Sequence, residues 1–166
     1  MATLTVTITE SLPDYNGSDN DLTLTNALSI AGVDDIYHRI ITCPAADGGI
    51  SGTTLVKFSA AVNTVDGAAA LDLDNVKYIR VTNLDGSNSV TLSLMISADE
   101  DGARDDTGSI LLEAGKSFIM GTPHDGIAVH DSSAAVLNTL VDLESIVIDP
   151  IGNDVKVEIF VASVVA

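Results

Sequence analysis

Tryptophan is absent from this chain of 166 residues, aromatic residues make up 4% of it, and Cys43 is its only cysteine. Each scarcity excludes something. One cysteine forbids an internal disulfide framework and a cysteine zinc site. Beside apolar neighbours it reads as a small buried hydrophobe, made in a reducing compartment. Few aromatics leave core volume to Val, Ile, Leu and Ala, and branched aliphatics with many threonines favour strands. Sugar-binding platforms usually present exposed aromatics, so this chain is poorly equipped for one. Positive charge is scarce too: 7 bases stand against 24 acids, a formal net charge of −17. Small domains more often sit at a magnitude of about 2–8. Such a surface repels phosphate backbones and anionic headgroups, so neither nucleic acid nor membrane is an expected partner. It favours solubility and suits a salty medium where repulsion is screened. No apolar run approaches the roughly 18 residues of a membrane span. The opening residues carry no basic stretch followed by an apolar one, and read as mature structure.

What is present is alternation. Leu4, Val6 and Ile8 are separated by threonines, the period of a half-buried strand. The turn residues of 12–21 mark a loop, after which Leu22, Leu24, Leu28 and Ile30 resume the pattern. Over 36–43, Ile36, His38 and Ile40 face one side and Tyr37, Arg39 and Ile41 the other, and Pro44 ends the strand. Leu55 and Phe58 are the core anchors of a strand over 53–61, and Gly67–Ala70 is a loop or a helical turn. Segments 76–83 and 90–97 flank Asp85-Gly86, which reads as a hairpin turn because glycine supplies the positive φ tight turns need. Ala114-Gly115 joins Ile110–Leu112 to Ser117–Met120, as a hairpin or a corner. Apolar spacings of three and four over 134–141 allow one short helix. A short strand over 145–149, a turn at Ile151–Asp154 and a strand from Val155 close the pattern. The expectation is a single all-β domain over 1–166, with about 8–10 short strands at sandwich or barrel spacing and at most one helix.

Catalytic and metal motifs are not found. His124 and His130 lie six residues apart, a spacing that matches no zinc motif, and read as exposed loop residues. Asp99, Asp101 and Asp105 around Gly102, and Asp14, Asn16, Ser18 and Asn20, form acidic loops of the kind calcium uses. Neither completes an EF-hand: Ala103 stands where a ligand belongs in the first, and Thr25 where a bidentate Glu belongs in the second. Cys43 and His38 are five apart on one strand, hence on opposite faces. There is no G-x-S-x-G, and Asp47-Gly48-Gly49 lacks the lysine of a phosphate loop. The reading is no enzyme, with no catalytic residue, no cofactor and no metal.

Four stretches carry a resemblance. They are Val76–Asp85, Ser89–Leu94, Leu111–Ile119 and Val155–Ser163. Together they resemble small structural proteins of tailed bacteriophages, especially marine and cyanobacterial ones, over roughly the C-terminal two-thirds of the chain. The resemblance implies an antiparallel, jelly-roll-like β-sandwich and a virion component synthesised in the host cytoplasm. It implies a decoration or cement protein on the outer capsid surface, bound to the major capsid protein or neighbouring virion subunits. A homo-oligomer, guessed as a trimer, goes with it. A tail, fibre or receptor-binding module is the alternative, and a free carbohydrate-binding or calcium-dependent adhesive domain is a further one.

Overall fold

The computed structural model describes residues 2–13, 21–45, 52–59, 70–72, 75–96, 106–121, 128–130 and 140–164. These hold twelve strands and no α-helix: β1 (Ala2–Leu12), β2 (Leu22–Val33), β3 (Asp35–Cys43), β4 (Thr53–Ser59), β5 (Ala70–Asp72), β6 (Val76–Asn83), β7 (Val90–Ile96), β8 (Asp106–Leu112), β9 (Ser117–Gly121), β10 (Ala128–His130), β11 (Leu140–Pro150) and β12 (Val155–Ser163). The count exceeds the expected one partly through β5 and β10, three-residue pieces too short to show a period. The helix allowed over 134–141 falls mostly outside the described residues. Its last two positions, Leu140 and Val141, open β11. The strand expected over 145–149 lies in the C-terminal half of that longer strand.

One sheet runs β3-β12-β6-β9, and another β5-β4-β11-β7-β8 with β10 beside β11. Set aside β5, β10 and the β1–β2 hairpin, and eight strands remain. In chain order the first, eighth, third and sixth form one sheet, and the second, seventh, fourth and fifth the other. Every neighbouring pair among the eight is antiparallel. That order is a jelly roll, two sheets wound as interlocked Greek keys. The core lies between them: Val155, Val157, Ile159 and Val161 of β12, with Ile79 and Val81 of β6, face Leu92, Ile146 and Ile148 of the other sheet. Alternating inward aliphatics supply the volume that missing aromatics would elsewhere. Tyr37 spans the sheets, its hydroxyl donating to the Leu55 carbonyl at 3.1 Å. A bulge between Ile146 and Val147 lets Leu55 and Val56, consecutive in β4, both be buried.

The expected hairpin over 76–97 does not form, and this corrects the reading of Asp85-Gly86. β6 pairs with β12 and β9, whereas β7 pairs with β11 and β8, so the connection crosses from sheet to sheet. Gly86 is not among the described glycines at positive φ, which are Gly32, Gly115 and Gly152. Side chains build this loop instead. Asp85 Oδ1 accepts from the backbone N–H of Ser87 at 2.8 Å and of Asn88 at 2.7 Å. Those bonds hold its carboxyl below the ordinary range. Buried Asn83 accepts from the Asp85 N–H and donates to the carbonyls of Asn88 and Leu112, tying β6 to β8 in the opposite sheet. Gly115, at φ 70°, turns the β8–β9 corner, which also changes sheets.

Cys43 ends β3 opposite Val155 and is fully buried. Burial pushes its thiol up, against a hydrogen bond with Thr53. The folded protein is expected to resist an aromatic disulfide reagent over minutes and to react once unfolded in guanidinium. Fast stoichiometric labelling of native protein would contradict the core drawn here.

Candidate interaction face

Strands β1 and β2 form a sheet of their own, an arm whose base leans on the outer face of the four-stranded sheet. Gly32, at φ 78°, is the extra residue where the pairing shifts between Ala2–Val33 and Thr3–Ala31. A glycine in the left-handed region is what such a bulge takes, and it turns the arm away from β3.

The register makes the arm two-faced. On one side lie the pairs Leu4–Ile30, Val6–Leu28, Ile8–Asn26, Glu10–Leu24 and Leu12–Leu22. On the other lie Thr3–Ala31, Thr5–Ser29, Thr7–Ala27, Thr9–Thr25 and Ser11–Thr23, all small. At the base the apolar side packs on Tyr78, Ala162 and Phe160, burying Ile30. This cover explains why Tyr78 and Ala162, which point away from the sandwich core, are themselves buried. Val6 and Ile8 of the arm with Tyr78, Ile119 and Gly121 line an open groove of about 220 Å³ at the β9 edge. Beyond it, every residue from Thr7 to Pro13 and from Asp21 to Ala27 is exposed. Ile8, Leu12, Leu22 and Leu24 are among the large apolar side chains left in solvent. A two-stranded ribbon is marginal alone, so an arm of this length lacks half its support.

The rest of the outer face continues the mixed character. Ile36, His38 and Ile40 point outward on β3, as alternation required. Ile36 is 54% and Ile40 59% exposed. His38 reaches across to β12, where Nε2 donates to Glu158 Oε1 at 2.9 Å, while Arg80 of β6 donates to Glu158 Oε2 at 2.7 Å. Both His38 and Arg80 lie beside the Phe160 ring, at 6.1 Å and 5.9 Å. The link between Arg80 and Glu158 carried no signal in the chain, since register between strands far apart in sequence is not written in either strand alone. Cys43 faces inward, opposite to His38, so the two share no site.

Charge is unevenly divided. The strands of the four-stranded sheet hold Arg39, Lys77, Arg80 and Lys156 against two acids, Asp35 and Glu158. The other sheet's strands hold Lys57 alone against Asp72, Asp106, Asp142, Glu144 and Asp149. In a chain of net −17, the four-stranded sheet is the one whose strands carry more bases than acids.

The hydrogen bond from His38, aided by Arg80 and opposed by burial, holds the Glu158 carboxyl below its ordinary value of 4.5. A folded-state value below the unfolded one contributes stability that is fully present above the unfolded value and lost as pH falls through the folded one. The melting temperature is therefore expected to fall as the pH drops below about 4.5, and to fall less in Glu158→Gln over the same interval. Parallel curves for the two proteins would remove Glu158 from the account.

Among the described residues no three His, Cys, Asp or Glu side chains form a group able to hold a metal ion. No helix there is long and apolar enough to cross a membrane. The acidic loops at Asp14–Asn20 and Asp99–Asp105, the Asp47-Gly48-Gly49 turn and His124 lie outside the described residues, and His130 is placed only as backbone in β10. Comparison with protein-family models, with curated proteins and with solved structures finds no match.

Proposed function

We propose that this chain is a structural subunit of a phage particle, a decoration or cement protein bound to the outer surface of the shell built by the major capsid protein. The observation that carries this reading is the arm. Its apolar side is half used by its own sandwich and half presented to solvent, as in a part built to be covered on assembly. Monomeric proteins seldom leave a large contiguous apolar patch in water, and such patches mark interaction sites. A closed jelly roll beneath it supplies a stiff base, and the strong negative charge keeps the free subunit soluble until it docks. Many weak contacts repeated over a shell add up through multivalency. A sugar-binding reading draws no support from the outer face, where Phe160 is packed between Tyr78, His38 and Arg80.

Quantitative mass spectrometry of purified virions tests the reading. Hundreds of copies, in simple ratio to the major capsid protein, are expected. A count of a few to tens assigns the chain to the tail or fibres, and absence from the virion defeats the structural role altogether.

A further inference from the structure

The exposed end of the arm needs a cover, and the molecule carries a surface that suits it. The base of the arm already shows what its apolar side packs against: the outer face of the four-stranded sheet, at Tyr78, Ala162 and Phe160. The stripe then continues through Ile8, Leu24, Leu12 and Leu22 with no such support. On the same outer face, Ile36 and Ile40 remain exposed around His38. The charges are complementary as well. The described part of the arm carries Glu10, with Asp21 preceding β2, and no base, while on that face Arg80 already meets Glu158 and Lys156 adds a second cation. Two copies that each bear −17 repel over most of their surfaces, and approach most readily where acids are sparse.

We infer that the distal half of the arm of one copy docks on the outer face of the four-stranded sheet of a second copy, against Ile36 and Ile40, with Glu10 turned toward the cations of that face. Donor and acceptor are different surfaces, so each single contact is heterologous, and two of them exchanged about a two-fold axis close a dimer. Head-to-tail contacts close into a ring when the rotation permits and propagate into a filament otherwise. A copy whose face is filled still offers its own arm to the next. The inference names the partner for the assembling role proposed above and rests on that reading for its setting only.

The test uses the full chain in solution, by sedimentation velocity and light scattering. Wild-type protein is expected to form a closed oligomer. Leu24→Asp disables the arm and Ile40→Asp disables the face. Each is expected to weaken self-association at least ~50-fold, the effect of losing a central apolar anchor, and to leave the melting temperature of the sandwich unchanged. Mixed one to one, the two variants are expected to form a dimer and nothing larger, since the intact arm of the Ile40→Asp chain finds the intact face of the Leu24→Asp chain. Leu24→Thr and Ile40→Thr replace the aspartates where these unfold the protein. A wild-type chain that stays monomeric up to about 100 µM overturns the inference, as does an oligomer that survives both substitutions. A mixture that remains monomeric overturns the heterologous contact. Shell binding by a monomer would defeat self-docking alone, and self-association without shell binding would defeat the shell role alone.

Discussion

Ile79→Ala is expected to cost about 3–4 kcal/mol of folding stability, because it removes a branched side chain from a packed core whose paired strands refill the gap only in part. Ile79 is fully buried, opposite Val161 on one side and Met120 on the other. The surrounding side chains are mostly Val, Ile and Leu held on paired strands, so relaxation is limited. For a domain of this size that loss lowers the melting temperature by roughly 10 °C. Ile36→Ala is the control: it lies on the outer face of the same sheet and is 54% exposed. Its expected cost is below about 0.5 kcal/mol in the isolated chain. Thermal unfolding followed by circular dichroism measures both, and equal effects would mean that the inside and outside of this sheet have been exchanged.

Asn83→Ala is expected to be nearly as damaging, at about 3 kcal/mol, by a different route: one substitution strands a backbone N–H and two carbonyls that the amide had satisfied. The partners are the Asp85 N–H and the carbonyls of Asn88 and Leu112, with Leu112 on the opposite sheet. Asn83→Asp separates hydrogen bonding from packing. It keeps the volume and the acceptor, but an ionised carboxylate cannot donate to the two carbonyls and is itself buried. Urea unfolding at neutral pH is expected to show both variants with lowered midpoints and an unchanged slope. An Asn83→Asp protein as stable as wild type would show that the amide donors do not hold the crossing together.

That crossing marks the boundary of what the chain discloses. Alternation correctly located β1, β3, β7 and β12, and the parity of Ile36, His38 and Ile40 put them on one face as observed. Leu55, Phe58 and Cys43 are buried as their type and position required. Pairing was harder. Asp85-Gly86 between two strands has the form of a hairpin, yet Asn83 and Asp85 spend their side chains on loop backbone and send the chain to the other sheet. Tyr78 points away from the sandwich core, and the arm is what buries it. The apolar stripe of the arm was visible as Leu4, Val6, Ile8, Leu22 and Leu24. Alternation reports that a face is apolar, and not whether anything in the same chain covers it. The His38–Glu158–Arg80 cluster depends on register between strands distant in sequence, which no local pattern encodes.

The most direct test of the central claim is sedimentation of purified shells, stripped of this protein, with increasing amounts of added full-length chain. Saturable co-sedimentation at a simple ratio to the major capsid protein is the predicted result. Chain that stays in the supernatant at every concentration, or that sediments only with tails, would contradict it.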